Sequence, residues 1–328
     1  MEIDIENIKK VLQKRDLVLV DTIGKGSYST AFTVKSIRYG SMLFVAKVIY
    51  SQNKDSSSLN DAYMRELETL KSLTHPYVIQ LYDAFKSDDN MLYIILEYCE
   101  QGTLMQMIKK DGPLRRTQLV DICQQILKGL SYIHSRNIAH RDIKPENIFM
   151  TYKKTVKIAD FGFSSFYETG QRVEDFRGSI AYCSPEILKQ NVQDLFKADI
   201  WALGVSFYVM ATGKLPFTGV SHTALRHAIE SGMYLVPKQL DPDMADLLQK
   251  MIVVDPQKRQ SAEELLRHPF FNNNKKPLPP SHPLQNIAMF GNSSKNLRQP
   301  SIQESNNHPR YLKRHSYLAI SDFRTFKE

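Results

Sequence analysis

Two short segments of this sequence carry side chains that can move a phosphoryl group. Residues 140–147 read His-Arg-Asp-Ile-Lys-Pro-Glu-Asn, and residues 160–162 read Asp-Phe-Gly. A carboxylate can accept the proton of an attacking hydroxyl, and carboxylate and amide oxygens are the ligands that Mg²⁺ prefers. Two acidic groups, an amide and a lysine in this order therefore indicate phosphoryl transfer from a magnesium nucleotide.

Further segments before and after these two occur along the chain in an order that is typical of one enzyme family. They are a glycine-rich turn at Gly24 and Gly26, Val45-Ala46-Lys47, Glu66, Ser184-Pro185-Glu186, Asp199-Ile200-Trp201 and Arg259. Together with the two segments above, they resemble a eukaryotic protein kinase over roughly residues 17–271. Lys144, two residues after Asp142, is typical of the serine/threonine type.

Within that family, several runs look most like the calcium/calmodulin-dependent and AMP-activated-kinase-related group. They are Ser27-Tyr28-Ser29, His75-Pro76, residues 160–163 and Gly178-Ser179. Ser184 departs from the usual alanine of the Ala-Pro-Glu motif. No clear amphipathic calmodulin-type helix follows residue 271, so the sequence does not support calcium control.

The resemblance implies an α+β fold with two lobes, the bilobal protein-kinase fold. We expect an N-lobe at 17–98, with a small antiparallel sheet and one main helix, and a mainly helical C-lobe at 99–271. Strand-like patterns occur at 17–22, 31–37, 44–50 and 92–96, and a helical pattern occurs at 59–73. A long helix is indicated by apolar residues at Leu119, Ile122, Cys123, Ile126, Leu130 and Ile133.

Two segments lie outside this domain. Residues 1–16 carry Ile5, Ile8, Val11 and Leu12 at helical spacing, which predicts a short amphipathic helix that packs on the core. Residues 272–328 are rich in Asn, Ser, Pro and Lys, and we expect a basic, mostly disordered tail. The tail holds nine Lys or Arg against three Asp or Glu, most of the chain's net charge of +8. Such a tail can attract an acidic partner or an anionic membrane.

The resemblance implies an ATP-binding site that begins at the glycine-rich turn. Its third glycine is replaced by Ser29, so this motif alone would equally fit an ordinary hairpin. Lys47 matches the lysine that holds the phosphates, and Glu66 matches the carboxylate that positions it. The ATP-binding residues implied in this way are Ile23, Gly24, Lys25, Gly26, Ser27, Tyr28, Ser29, Ala31, Val45, Lys47, Glu66, Leu96, Glu97, Cys99 and Phe149.

Two of these positions differ from the usual family pattern. Ala31 stands where valine is usual, and Val45 stands where alanine is usual, both in the roof over adenine. A volume-conserving swap between neighbouring strands would keep the pocket filled, provided that both side chains lie on the same side of the pocket. Two unrelated tolerated substitutions are the alternative.

The implied catalytic residues are Asp142, Lys144, Asn147 and Asp160. Asp142 resembles the base that orients the substrate hydroxyl and accepts its proton, and Lys144 can neutralise charge on the transferring group. Asn147 and Asp160 are the predicted metal ligands, so the cofactors implied are ATP and Mg²⁺.

The activation segment is expected to carry its own negative charge. In the family, an arginine placed like Arg141 pairs with a phosphothreonine, and the equivalent position here is Asp175. We hypothesise that activity does not require phosphorylation at this point. An acidic loop that stays unpaired is the alternative.

Two further positions in this region match family roles. Ser179 matches a residue that helps to select Ser or Thr acceptors. Glu186 matches the partner of Arg259 in a buried ion pair that braces the substrate lobe.

Composition limits the other classes of function. With 328 residues and 42% hydrophobic residues, the chain can bury a sizeable core. The longest apolar stretch, 200–211, is too short to span a bilayer, so we expect neither a signal peptide nor a membrane span. Cys99, Cys123 and Cys183 lack metal-ligand spacing and predict reduced, buried thiols. A cytoplasmic and also nuclear location fits these features.

The leading prediction is an ATP-dependent protein serine/threonine kinase whose partners are proteins with Ser or Thr acceptors. A catalytically silent scaffold is a second reading, but such scaffolds commonly lose the equivalents of Lys47, Asp142 or Asp160. A third reading gives the main function to the basic tail, as a tether to nucleic acid or membrane. No basic platform interleaved with aromatic residues is evident in the core, so specific nucleic-acid binding is not expected.

Overall fold

A computed structural model describes residues 4–26, 29–40, 42–50, 57–167, 179–192 and 194–272, without the side chains of 57–62. Ser27, Tyr28, Asp175 and the tail beyond residue 272 therefore lie outside the described residues. The expected bilobal α+β fold is confirmed. The N-lobe is one antiparallel sheet in the order β1-β2-β3-β5-β4. Its strands are β1 (Leu17–Lys25), β2 (Ser29–Ser36), β3 (Leu43–Ile49), β4 (Leu81–Lys86) and β5 (Leu92–Glu97).

The outer face of this sheet is covered by helix α1 (Ile5–Gln13). Asp4 caps the helix by accepting a hydrogen bond from the Asn7 backbone N–H. Ile8 and Leu12 are fully buried, in a cluster with sheet residues that include Phe32. The amphipathic helix expected before residue 17 is thus present, and its partner surface is the outer face of the N-lobe sheet.

The inner face of the sheet carries the residues predicted to meet the nucleotide. Ala31 pairs with Lys47, and Thr33 pairs with Val45, in the antiparallel register of β2 and β3. Because directly paired and alternate residues share a face, Ala31 and Val45 are diagonal neighbours on one side. The volume-conserving swap between them stays a hypothesis that this geometry permits. Helix α2 (Ser57–Ser72) carries Glu66 towards the same face.

The C-lobe is mainly helical and is built around α6. By length and composition this helix is long and apolar enough to cross a membrane, but it is 72% buried inside the structure. It is therefore the core helix of the lobe, and it contacts α4 and α8. The helices are α3 (Leu104–Asp111), α4 (Arg116–Ser135), α5 (Pro185–Leu188), α6 (Leu195–Thr212), α7 (His222–Ser231), α8 (Pro242–Met251), α9 (Ala262–Leu265) and α10 (Pro269–Asn272).

Several predictions about the C-lobe sequence are confirmed. The apolar positions marked on α4 are all buried. The structure also shows that Ser261 and Glu264 form a capping box at the start of α9. Cys99, Cys123 and Cys183 are free and buried.

Four short strands at the junction of the lobes were not predicted. They form two antiparallel pairs, β6 with β9 and β7 with β8. Two or three residues give too short a pattern for a period of two to be recognised. These strands are β6 (Ile138–Ala139), β7 (Ile148–Met150), β8 (Val156–Ile158) and β9 (Ser165–Phe166).

Candidate active site

A cleft opens between the inner face of the N-lobe sheet and strands β7 and β8. Counted out to its open mouth, and with the solvent space there included, the cleft encloses about 1010 Å³. The residues predicted to bind nucleotide or metal that line it are Ile23, Gly24, Ala31, Val45, Lys47, Glu66, Leu96, Glu97, Cys99, Asn147, Phe149 and Asp160.

The glycine-rich turn closes the end of β1 and β2. Lys25 pairs with Thr30, and the backbone N–H of Gly26 donates to the carbonyl of Ser29 at 2.7 Å. Tyr50 directly follows β3, and its hydroxyl donates to the Gly26 carbonyl at 3.2 Å and holds the turn. The structure therefore places Lys25, Gly26 and Ser29 in the turn, beside the cleft.

On the N-lobe side of the cleft, Lys47 joins two carboxylates. Its Nζ lies 2.6 Å from Glu66 Oε1 and 3.8 Å from Asp160 Oδ1. Burial lowers the pKa of the Lys47 ammonium, but Glu66 and Asp160 oppose this effect, and the pKa lies well above its ordinary value. The lysine is thus a fixed positive charge in the cleft.

On the C-lobe side, Asp142, Lys144 and Asn147 form one hydrogen-bonded cluster. Lys144 Nζ lies 2.8 Å from Asp142 Oδ2, and Asn147 Nδ2 donates to the same oxygen and to the Asp142 carbonyl, both at 2.8 Å. All three residues are buried, so their side chains are held in one arrangement. The Ala159 N–H also donates to the Asn147 carbonyl, which ties this loop to the residue before Asp160.

A buried aspartate on α6 holds the loop that carries Asp142. Asp199 Oδ2 accepts from the His140 N–H and Oδ1 accepts from the Arg141 N–H, both at 2.8 Å. His134 Nε2 lies 3.0 Å from the same carboxylate. Arg141 and Asp160 have φ of 68° and 65°, a strained region for residues with a Cβ. Hydrogen bonding of the Arg141 N–H to Asp199 and the contact of Asp160 with Lys47 stabilise these two strained backbone conformations.

An apolar column crosses the cleft behind these groups. Leu70 and Phe161 belong to one buried cluster, and Leu81 packs against it. The rings of His140 and Phe161 lie 4.8 Å apart. This column links α2 and β4 of the N-lobe with the loop of the C-lobe.

Comparison with known proteins agrees with this geometry. The protein kinase domain family matches residues 17–271. This chain belongs to the protein kinase family. Serine/threonine-protein kinase SIK2 of Gallus gallus is 34% identical over 247 residues, 75% of this chain and 31% of that protein.

Two other similar kinases come from other organisms. Probable serine/threonine-protein kinase MARK-A of Dictyostelium discoideum is 32% identical over 258 residues, 79% of this chain and 24% of that protein. Serine/threonine-protein kinase cds1 of Schizosaccharomyces pombe is 33% identical over 266 residues, 77% of this chain and 58% of that protein. The chain thus spans 24% to 58% of the length of these three relatives.

In this kinase the hinge between the lobes is tied by an ion pair that sequence reasoning missed. Lys157 Nζ on β8 lies 2.8 Å from Glu97 Oε2 at the end of β5. Leu96, Glu97 and Cys99 face the cleft as predicted, and burial raises the pKa of the Cys99 thiol to about 12. The Lys157–Glu97 pair fixes the backbone from which adenine contacts are expected.

The activation-segment predictions are only partly described. Arg141 and Ser179 line a small pocket together with Asp142, and the Ser179 carbonyl accepts from the Tyr182 N–H at 3.0 Å. Asp175, the expected partner of Arg141, lies outside the described residues. The pairing of Arg141 with Asp175 stays a prediction.

The ion pair expected below the activation segment is present. Arg259 Nη1 and Nη2 lie 2.5 and 2.7 Å from the two oxygens of Glu186. Both side chains are buried, so the pair braces α5 against the 3₁₀ turn at Pro256–Lys258 that Arg259 follows.

Glu146 forms a hydrogen bond with the Tyr182 hydroxyl, a contact that the sequence did not predict. One of its oxygens is buried without a hydrogen-bond partner, and burial raises the pKa of its carboxyl. Burial, the charges of Glu146 and Asp142, and a hydrogen bond to Glu146 raise the pKa of the Tyr182 hydroxyl far above its ordinary range. Glu146 is therefore partly engaged inside the kinase.

Proposed function

We propose that this chain transfers the γ-phosphate of ATP to Ser or Thr hydroxyls of proteins. One observation carries the proposal: Asn147, which is hydrogen-bonded to Asp142 in the Asp142–Lys144–Asn147 cluster, lines the same cleft in which Lys47, Glu66 and Asp160 meet. A catalytically silent scaffold is less favoured, because each of these groups is present and paired. The names of the three similar kinases support serine/threonine specificity.

The donor set fits a magnesium ion that is completed by phosphate oxygens. Asn147 uses its amide N–H groups on Asp142, which leaves its side-chain oxygen for a ligand. Asp160 adds a carboxylate that lines the same cleft. Among the described residues no group of three His, Cys, Asp or Glu could hold a metal alone. Protein kinases use ATP and generally Mg²⁺, and bound Mg²⁺ would neutralise charge that develops on the phosphates.

In the proposed reaction, Asp142 orients the substrate hydroxyl and accepts its proton. The hydroxyl oxygen forms a bond to the γ-phosphorus, and the bond from that phosphorus to the oxygen shared with the β-phosphate breaks, which releases ADP. Lys144 lies beside Asp142 and offsets negative charge on the transferring group. Lys47 holds the remaining phosphates, positioned by Glu66.

We propose that the kinase has only a weak preference for basic residues near the Ser or Thr acceptor of its substrates. Glu146 matches a position that contacts an upstream arginine in basophilic relatives, but here it is engaged with Tyr182. Thr103 and Val209 stand where some of those kinases use Glu, and both are buried. Thr103 is also occupied as the N-cap of α3. A peptide library would therefore show tolerance rather than a strict requirement for several basic residues.

The test is incubation of the purified full chain with labelled ATP, Mg²⁺ and an arrayed peptide library. We expect label on Ser and Thr peptides and none on matched Tyr peptides. Asp142→Asn should lower kcat by about 10²–10⁴-fold, because it removes the proton acceptor. Asp121→Asn, an exposed aspartate on α4, is the matched control and should keep wild-type turnover. A wild-type chain that binds Mg-ATP but labels no peptide would indicate the scaffold instead.

A further inference from the structure

Helix α2 touches the segment that follows Asp160 through two buried hydroxyls. Ser164 Oγ lies 3.3 Å from Thr69 Oγ1 and 2.7 Å from the carbonyl of Phe161. Thr69 is 1% exposed and Ser164 is 7% exposed. The two residues are 95 positions apart in the chain, so the contact joins separate elements.

The hydrogens of this pair have one arrangement that satisfies both contacts. A hydroxyl has a single hydrogen and can also accept. Ser164 uses its hydrogen on the shorter contact, to the carbonyl of Phe161, so Thr69 donates to Ser164 Oγ. The result is a chain of two hydrogen bonds from α2 to the backbone of the Asp-Phe-Gly segment.

The other contacts between these elements are less directional. Leu70 and Phe161 share an apolar cluster, which favours closeness but tolerates sliding or rotation. Glu66 Oε2 is buried without a hydrogen-bond partner, 3.7 Å from where a Cβ on Gly162 would lie. A buried hydroxyl pair favours one register, because separating the two groups removes the hydrogen-bond partner that the structure shows for the buried Thr69 hydroxyl.

We propose that Thr69 and Ser164 are positioning residues that lock α2 against the segment carrying Asp160. The lock favours the arrangement in which the Lys47–Glu66 pair and Asp160 meet at the cleft. This inference rests on the proposed kinase activity, since its effect is seen as a change in turnover. Neither residue lines the cleft in the described structure, so each acts through Glu66 and Asp160.

The test compares Thr69→Val, which has the same shape without the hydroxyl, with Thr69→Ser, which keeps the hydroxyl. Thr69→Val should lower kcat about threefold to tenfold, the effect of one net hydrogen bond on the competent population. The KM for ATP should change less than kcat, because the phosphate contacts of Lys47 depend on α2 through Glu66 but the adenine contacts at the hinge do not. Thr69→Ser should restore kcat.

Three further variants separate positioning from general stability. Ser72→Ala is the matched control, because the hydrogen bond that its hydroxyl makes in the described structure lies within α2, to the Thr69 carbonyl at 2.7 Å, and this variant should keep wild-type kcat. Ser164→Ala should lower kcat, and the double variant with Thr69→Val should lower it less than the product of the single effects. If Thr69→Val does not fold, Ser164→Ala against Ser164→Thr poses the same question from the other side.

Several outcomes would overturn the inference while leaving the proposed function in place. These are wild-type kcat in a folded Thr69→Val, equal losses in Thr69→Ser and Thr69→Val, or an equal loss in Ser72→Ala. Absence of activity in the wild-type chain would instead refute the proposed function itself.

Discussion

Arg259 and Glu186 meet as a two-pronged ion pair inside the C-lobe, with both guanidinium nitrogens within 2.7 Å of a carboxylate oxygen. Arg259 also donates from Nη1 to the carbonyl of Lys197 and lies over the ring of Trp201. Each guanidinium nitrogen of Arg259 donates a hydrogen bond to an acceptor in the structure. The pair therefore avoids the cost of an unsatisfied buried charge.

Breaking this pair from one side should destabilise the fold strongly. Arg259→Met leaves the Glu186 carboxylate buried and uncompensated, and we expect the free energy of unfolding to fall by about 3–5 kcal/mol. Urea unfolding followed by the fluorescence of Trp201, the single tryptophan, would measure this. Glu186→Gln added to Arg259→Met should recover part of the loss. Arg267→Met breaks an exposed pair with Glu263 and should cost no more than about 1 kcal/mol.

Lys47→Met should nearly abolish phosphotransfer while leaving the fold intact. It removes the fixed charge that holds phosphates, and loss of one such group costs about 10²–10³ in kcat. The fold should survive because burial raises the pKa of the Glu66 carboxyl, which can then stay neutral without its partner. Turnover and thermal unfolding would be measured together, with Lys35→Met, an exposed lysine on β2, as control. Near wild-type turnover would remove Lys47 from the mechanism.

Replacing Asp160 should change how the rate of phosphotransfer depends on the Mg²⁺ concentration. Excess chelator should stop transfer, and added Mg²⁺ should restore it. Asp160→Asn removes a charged ligand and should raise the Mg²⁺ concentration for half-maximal rate about tenfold or more. Titration of Mg²⁺ at saturating ATP would measure this. Asp255→Asn, in a turn of the C-lobe, should leave the titration unchanged.

The catalytic groups of the cleft were predictable because they lie close together in short segments of the sequence. Asp142, Lys144 and Asn147 lie within six residues, and a 3₁₀ helix at Pro145–Asn147 brings them to one point. Lys47 and Glu66 were predictable from the resemblance to kinases. Their roles stay predictions until the variants above are measured.

The contacts that hold the lobes together were not predictable in the same way. Lys157–Glu97 and Thr69–Ser164 join elements that are distant in sequence, and no local periodicity encodes such pairs.

Strand β4 was also not predicted, because none of its six residues is fully buried and its alternation of buried and exposed residues is weak. Its pairing with β5 sets its conformation.

Helix α1 should contribute measurably to stability, although it precedes the matched domain. Leu12 is fully buried under the outer face of the sheet, so Leu12→Ala should lower the free energy of unfolding by about 2–5 kcal/mol. Urea unfolding would measure this. Lys10→Ala, on the exposed side of the same helix, should change the value by less than about 0.5 kcal/mol. Equal stability of Leu12→Ala and the wild type would mean that α1 is not docked in solution.

His75 should make stability depend on pH at mildly acidic values. It stacks on Tyr132, and its Nδ1 accepts from the Tyr77 N–H at 3.2 Å, which protonation of that nitrogen would break. Burial, and then the charge of Lys157, lower the pKa of His75 in the folded protein. The unfolded chain then binds more protons just below its own pKa of about 6.5, so this stability is present above that value and is lost as the pH falls.

The free energy of unfolding, measured by urea at pH 7.5 and 5.0, should therefore drop more in the wild type than in His75→Asn. Asparagine can still accept from the Tyr77 N–H but does not titrate, which isolates the proton effect. His227→Asn removes an exposed histidine on α7 and should leave the wild-type pH dependence unchanged. The same drop in wild type and His75→Asn would show that other groups set the acid sensitivity of the fold.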